Sequence, residues 1–237
     1  YTLLFIGRKN MHVPTRFQQH DIEQLKQVII EYPFATLITH SEHGIEANHI
    51  PFILDDKNNI LSLHGHIATV NPLWKNVAQS SDVLVVFNGP NCYISPNHYP
   101  TKKEHGKAVP TWNYVVVHVK GKITFIHDYA WNMNMLEKLT LRHEQKQQEQ
   151  KQHEANHTNK QEKPWSISDA PEAYIQKMMP AITGIQITIS SITGQWKVSQ
   201  NQPKNNQQGV IAGLSTLHSN KSDEQKIAEL IQQLPPS

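Results

Sequence analysis

Hydrophobic residues recur with helical spacing in some segments of the chain and with strand spacing in others. Residues 22–29 carry apolar side chains on one helical stripe after Asp21, a candidate N-cap, and predict a helix. Residues 34–40 and 45–54 flank the turn sequence SEHG and predict a hairpin. Residues 60–66 alternate polar and apolar positions, which indicates a third strand.

The middle of the chain continues with strand patterns linked by turns. An Asn-Pro step predicts a helix start, an apolar run is typical of a strand buried on both faces, and a proline-rich stretch without periodicity predicts a long loop. The predicted elements are a short helix at 71–79, strands at 82–89 and 91–95, the loop 96–110, and a strand pair at 111–128 that pivots at Gly121.

The rest of the chain alternates helix and strand patterns around a polar segment. Residues 144–163 contain a single apolar residue, Ala155, and either extend the preceding helix into solvent or are disordered. The predicted elements are a helix at 129–143, a helix capped by Asp169, a strand pair at 184–201 that turns at Gly194, and an amphipathic closing helix at 222–234.

Eight to ten strands joined mostly by short turns favour an antiparallel barrel over a βαβ layout. We therefore predict a mainly β (β+α) fold with flanking helices and a helical C-terminal part. The predicted segments are an upstream extension at 1–10, a barrel core at 11–128, a helix with a polar Gln-rich insertion at 129–168, and a helix, strand pair and closing helix at 169–237 that complete the same domain.

Composition narrows the environment and the chemistry. Cys92 is the single cysteine, so neither an intrachain disulfide nor a cysteine zinc site is available, and a reducing cytoplasm is the expected location. No apolar run approaches the roughly 20 residues of a membrane helix, so no membrane partner is expected. The net charge of +2 is too small to indicate nucleic-acid binding.

Residues 63–75, LHGHIATVNPLWK, carry the first candidate site. His64 and His66 share one strand face, and a metal site, packed structural residues and a ligand pocket are all compatible with that placement. Asn71 and the following proline suit a helix start, whose free amides attract a phosphate. Thr69 adds a hydroxyl and Lys75 a positive charge.

Two further stretches carry side chains suited to a ligand. Trp112 and Asn113 open a strand after the long loop, where an aromatic ring and an amide can hold a flat heterocycle or simply end a strand. Lys197, Ser199 and Gln200 lie on another strand, and solvent exposure is their default expectation. No helix-turn-helix, P-loop, dinucleotide fingerprint or Ser-His-Asp pattern is present in the sequence.

Several segments in a fixed order carry a resemblance to a known family. The most specific are GHIATVNP, YISPNHYP, VPTWNY and KVSQN, supported by EANHIPF and GVIAGL. From about Met11 to about Leu214 the chain resembles the PaiB-type family of FMN-binding negative transcriptional regulators. The Gln-rich stretch 144–163 looks longer than the corresponding family region.

The resemblance implies a split β-barrel of the pyridoxamine-phosphate-oxidase-like superfamily, acting as a homodimer with FMN at the subunit interface. The histidine pair would then line the ribityl or ring pocket, and Trp112 and Asn113 would cover the ring from the partner subunit. The residues expected to contact FMN are Asn48, His49, His64, Gly65, His66, Thr69, Asn71, Lys75, Trp112, Asn113 and Gln200.

Three functions follow from this resemblance. The first is a negative transcriptional regulator that senses redox or metabolite state through FMN, with direct DNA binding left open. The second is a flavin-dependent oxidoreductase acting on a small molecule, for which haem is one candidate, because fold alone does not determine function. The third is a dimeric binding module that has lost its cofactor.

Overall fold

The computed structural model describes residues 11, 13–57, 60–154, 163–216 and 222–235. The predicted extension 1–10 and residues 155–162 of the polar insertion lie outside these ranges. Within them the protein combines an antiparallel eight-stranded sheet with flanking helices, which confirms the predicted β+α split-barrel class.

The strands differ greatly in length. The ladders β2–β3, β4–β5, β5–β8 and β1–β8 are antiparallel, and the sheet order is β3-β2-β6-β7-β8-β5-β4 with β1 paired to β8. The bounds are β1 (Gln18–Gln19), β2 (Phe34–Ser41), β3 (Gly44–Pro51), β4 (Ile53–Lys57), β5 (Ile60–Ala68), β6 (Asp82–Ile94), β7 (Thr111–Ile126) and β8 (Ile182–Lys197).

Helices occupy the connections and both ends of the described chain. Asp21 begins the first of them as predicted, because its side chain accepts a 2.9 Å hydrogen bond from the Glu23 amide. The bounds are α1 (Ile22–Glu31), α2 (Leu73–Asn76), α3 (Lys102–His105), α4 (Tyr129–Glu154), α5 (Glu172–Met178), α6 (Lys204–Ser215) and α7 (Asp223–Gln232).

The chain divides into two compact units, to which the long strands β6, β7 and β8 each contribute residues. Unit 1 contains Pro33–Val85 and Lys120–Ser190, and its fully buried side chains include Leu37, Phe52 and Leu63. Unit 2 contains the described residues up to 32, Val86–Val119 and those from 191 onward, with Ile29, Phe87 and Leu214 fully buried.

The predicted strand at 45–54 is two strands, β3 and β4, separated at Phe52. The Phe52 amide donates a 2.9 Å hydrogen bond to the Pro33 carbonyl, one position beyond the Phe34–Pro51 pair of the β2–β3 ladder, and Pro33 has no N–H to extend the ladder further. The Phe52 ring is buried beside Gly65, where an added Cβ would lie 3.0 Å from Phe52 Cδ1. The break between β3 and β4 therefore falls where the neighbouring strand begins at a proline, although the sequence pattern of 45–54 looks continuous.

At two glycines the sequence predicted a break where the structure has none. The predicted strand pairs around Gly121 and Gly194 are in fact the single strands β7 and β8. Gly121 is not a pivot: a Cβ there would meet the Thr188 carbonyl oxygen, so the glycine permits a close backbone approach. Gly194 likewise gives room to the Leu25 side chain and the Trp196 ring. The predicted strands at 82–89 and 91–95 are also one strand, β6.

Three helix predictions need correction, and one alternative that the sequence left open is decided for the described residues. The helix α4 continues through Glu154, so the described part of the polar insertion extends the helix. Asp169 does not begin a long helix: it ends a 3-10 turn and accepts the Ser166 amide, and α5 starts at Glu172 after Pro171. The loop 96–110 contains a 3-10 turn and α3, and the sequence reading missed α6.

Candidate functional site

A cavity of about 360 Å³ lies within unit 2. Its volume falls in the range of small-molecule sites, and three of the segments that carry the family resemblance meet there. YISPNHYP supplies Tyr99, VPTWNY supplies Asn113, and KVSQN supplies Lys197 and Ser199. The remaining lining residues are Pro14, Arg16, Phe17, Val109, Pro110, Thr111, Asn201 and Gln202.

Asn113, one of the lining residues, carries an unsatisfied polar atom. Its side chain is 1% exposed, and its Nδ2 donates a 2.8 Å hydrogen bond to Ser199 Oγ. Its Oδ1 is buried and has no hydrogen-bond partner among the described residues. A buried acceptor without a donor costs about 1–3 kcal/mol, so the position favours a ligand that brings an N–H or O–H group.

The cavity is electropositive. Arg16 and Lys197 line it, and none of its lining residues is an aspartate or glutamate. The Lys197 ammonium donates to Thr111 Oγ1, and partial burial lowers the pKa of Lys197 below its usual value. An anionic ligand would supply the countercharge that the lining lacks.

The turn after β8 shapes one wall of the cavity. Ser199 adopts a left-handed conformation with φ of 61°. Gln200 does not line the cavity, because its amide folds back to accept from the Val198 amide and donate to the Trp196 carbonyl. Gln207 of α6 donates to the Ser199 carbonyl at 3.3 Å. Gln200 therefore fixes the turn that carries Ser199, and its predicted FMN contact stays a prediction.

Trp112 and Asn113 point to opposite faces of β7, as neighbouring strand residues do. Trp112 is 54% exposed, and its ring packs edge-on against Tyr93 at 6.2 Å between centroids. It is not among the lining residues of the cavity. The structure thus brings Asn113, but not Trp112, into this cavity.

The other predicted site residues lie in unit 1, where Asn71 and Asn48 bond to each other. Asn71 Nδ2 donates to Asn48 Oδ1 at 2.9 Å, and Asn71 Oδ1 accepts the Leu73 amide at 2.9 Å. The helix α2 is Leu73–Asn76 with Pro72 at the N-cap, and is thus shorter than the predicted helix at 71–79. Fewer free amides are therefore left for a phosphate than expected, because the first helical amide, that of Leu73, is bonded to Asn71.

Neighbouring groups are also engaged inside unit 1. Thr69 Oγ1 donates to the Pro180 carbonyl at 3.1 Å, and Lys75 Nζ lies 5.0 Å above the Trp74 ring. Gly65 faces Phe52 and Pro51, so it serves close packing of β5 against its neighbours. His49 Nδ1 lies 3.2 Å from Thr36 Oγ1. As FMN contacts, all of these stay predictions.

His64 and His66 lie on one face of β5, as predicted from their spacing. His64 Nε2 bonds Ser62 Oγ at 2.9 Å, whereas buried His66 Nδ1 has no partner among the described residues. Burial lowers the pKa of both imidazoles, so both are neutral at pH 7. Within the described ranges, no three His, Cys, Asp or Glu side chains are placed to hold a metal ion.

Replacing Asn71 by alanine is expected to lower the free energy of unfolding by about 1–2 kcal/mol, because two hydrogen bonds are lost. Urea denaturation measures this loss, and Asn71→Ser, which keeps an acceptor for the Leu73 amide, should recover part of it. If Asn71 lay at the FMN phosphate, as the sequence suggested, the same substitution would also weaken FMN binding. Since both amide atoms are already bonded, we expect the dissociation constant to change by less than about threefold. A larger loss would support the phosphate site near Asn71.

Most of the cavity lining was not predicted from the sequence, including the cationic Arg16 and the buried Tyr99. Arg16 precedes the first helix and belongs to no recognised motif, so no local signal marked it. Tyr99 lies inside YISPNHYP, and its motif was the available signal; it is 5% exposed. Lys197 and Ser199 were noticed but expected to face solvent, whereas the structure directs both into the cavity.

Comparison with known proteins agrees with the predicted family and fold. The family model described as "Putative FMN-binding domain" matches residues 11–191. An uncharacterised protein of Emericella nidulans is 33% identical over 235 residues, covering 87% of this chain and 91% of its own. Protease synthase and sporulation protein PAI 2 of Bacillus subtilis is 27% identical over 222 residues, covering 94% and 97%.

Solved structures share the fold at low sequence identity. The FAD and heme binding protein from Mycobacterium smegmatis aligns with a TM-score of 0.53 and 15% identity, covering 83% of this chain and 80% of its own. The flavocytochrome Anf3 from Azotobacter vinelandii aligns with a TM-score of 0.51 and 13% identity, covering 78% and 72%. No described helix has both the length and the hydropathy needed to cross a bilayer. The family match over most of the chain places this protein in the PaiB-type FMN-binding family, as an FMN-binding split-barrel protein.

Proposed function

We propose that this protein is a negative transcriptional regulator that holds FMN in the cavity of unit 2 and responds to the state of that flavin. The observation that supports this placement is the unsatisfied Oδ1 of buried Asn113, a residue that lines a cavity with two cations and no carboxylate. FMN, the ligand named in the description of the family, is both flat and anionic. This cavity suits such a ligand.

Different residues of the cavity would bind different parts of FMN. Lys197 and Arg16 would bind the phosphate, because charge-assisted hydrogen bonds are the strongest that side chains make to it. Asn113 would accept a hydrogen bond from a ring N–H or a ribityl hydroxyl, held in place by Ser199. When bound, FMN supplies electron-transfer chemistry, while the protein supplies orientation and charge.

Regulation is supported by the family resemblance and by the name of the Bacillus subtilis relative, which refers to protease synthesis and sporulation. The sequence contains no helix-turn-helix or zinc-finger pattern, and its charge is only +2. We therefore propose that repression is indirect, through a second protein, with DNA tested as an alternative partner. A homodimer in the cytoplasm completes this proposal.

Deletion of the gene is expected to raise a defined set of transcripts, and the wild-type protein should restore their repression. Lys197→Met, which removes a cation from the flavin cavity, should restore it poorly when expressed at the same level. Transcript sequencing measures both effects, with Lys204→Met outside the cavity as the matched control. Full repression by Lys197→Met would show that flavin binding at this cavity is not the signal. No change on deletion would reject regulation itself.

A flavin-dependent oxidoreductase is the second candidate, favoured by the names of the two structural neighbours, which refer to flavin and haem. Rapid bleaching of the bound flavin by NADH or NADPH would support it. A protein that stays yellow with both, while the deletion phenotype is complemented, would favour regulation. A preparation that takes up no FMN would contradict both candidates and leave the binding module.

A further inference from the structure

A second cavity, of about 270 Å³, lies within unit 1. One wall is a face of α4, because Trp131, Asn134, Met135 and Lys138 are spaced by three and four residues. The opposite wall belongs to the sheet, where His64 pairs with Gln186 across β5 and β8. The other sheet residues lining it are Asp55, Lys57, Ile60 and Ser62.

The charges in this cavity favour an anion. Asp55 is already paired with Lys138 at 2.9 Å, and this hydrogen bond holds the pKa of Asp55 below its usual value. Lys57 is exposed and makes no hydrogen bond or close ion pair with any described side chain, although its charge also helps to lower the pKa of Asp55. His64 is neutral at pH 7, because burial outweighs the nearby Asp55 carboxylate in setting its pKa. The lining therefore carries one more positive than negative charge.

Polar groups without partners add hydrogen-bonding capacity. Among the described residues, the side-chain amides of Asn134 and Gln186 make no hydrogen bond. Ser62 Oγ and His64 Nε2 bond to each other at 2.9 Å, so one lone pair or proton on that pair stays available. Each of these residues lines the cavity, and its polar group can bond a carboxylate or a ring substituent.

The α4 wall presents a flat aromatic ring to the cavity. The Trp131 indole tilts by 55° against the His64 ring, with 5.1 Å between centroids, and Met135 is 1% exposed beside it. Gly184 lies under this ring, since an added Cβ would contact Trp131. The absence of a side chain at Gly184 therefore lets the indole lie close to the sheet.

We propose that the unit 1 cavity binds a small aromatic carboxylate, with the carboxylate at Lys57 and the ring against Trp131. A flat anion matches the excess positive charge, the free amides and the aromatic wall together. The binding of such an acid does not depend on the proposed function. Its role as the metabolite signal of a regulator does rest on that proposed function.

Benzoate, benzamide and cyclohexanecarboxylate are the probes for this site on the full-length, FMN-loaded protein. NMR follows the indole N–H of Trp131, assigned with Trp131→Phe. Benzoate should shift this signal saturably, and the neutral amide and the non-planar acid should bind at least about fivefold more weakly. Lys57→Met should weaken benzoate at least about threefold without changing stability, whereas Lys177→Met, on the surface of α5, should not.

Each contrary result overturns a defined part of the proposal. No saturable shift with benzoate rejects the site. Equal binding of benzamide rejects the need for an anion, and equal binding of cyclohexanecarboxylate rejects the flat wall. Full competition by inorganic phosphate would show a general anion site instead. The absorbance of the same sample at about 450 nm, where oxidised flavin absorbs, reports separately whether the proposed FMN binding has failed.

Discussion

Gly209→Ala is expected to destabilise the protein by about 2 kcal/mol, although alanine is the better helix former by about 1 kcal/mol. Gly209 lies within α6, and a Cβ there would meet the carbonyl oxygen of His98 and approach Pro100 Cδ to 2.8 Å. A backbone carbonyl cannot rotate aside as a side chain can. The helix must therefore move away from the turn at 96–98, and packing is lost on both sides.

The same substitution should weaken FMN binding, because this turn positions Tyr99 in the unit 2 cavity. Urea denaturation and FMN titration measure the two effects. Gln208→Ala, at an exposed position of the same helix, is the matched control and should change stability by less than about 0.5 kcal/mol. An increase in stability near 1 kcal/mol for Gly209→Ala would show that helix propensity prevails and that the contact is not tight.

Local patterns predicted most elements because hydrophobic spacing and capping act over a few residues. The helix α1 with its Asp21 cap and the hairpin β2–β3 follow from such patterns. The continuity of β7 and β8 did not, because Gly121 and Gly194 read as turns while their role depends on residues distant in sequence. The helix α6 was missed for a related reason: its glycines serve packing against His98.

The candidate site shows the same limit. Sequence placed suitable groups at Thr69, Asn71 and Lys75, but it could not show that two of them are bonded within unit 1. It also expected Lys197 to face solvent, since strand alternation does not say which face covers a cavity. The order of four motifs identified the family, whereas only the folded chain shows that three of them meet at one cavity.

FMN is expected to bind at least tenfold more tightly than riboflavin, and Lys197→Met should remove most of that difference. The two ligands differ only in the phosphate, and a hydrogen bond to a charged group contributes about 1.5–3 kcal/mol. Lys197 lines the cavity without a carboxylate partner there, so its removal leaves no unpaired acid. Arg16→Met should have a smaller effect, because Arg16 is exposed and its interaction with phosphate is screened by solvent.

Fluorescence titration of the four protein–ligand pairs measures the coupling between Lys197 and the phosphate directly. Riboflavin should bind wild type and Lys197→Met with similar affinity, because methionine keeps the length and packing of the lysine side chain. Lys204→Met controls for the overall loss of one positive charge, and raising the salt concentration should reduce the preference for FMN only where Lys197 is present. If both ligands lose affinity equally in Lys197→Met, the lysine supports the cavity without contacting the phosphate. If neither FMN nor riboflavin loses affinity for Lys197→Met, while Asn71→Ala or His64→Ala binds FMN weakly, the phosphate lies in unit 1.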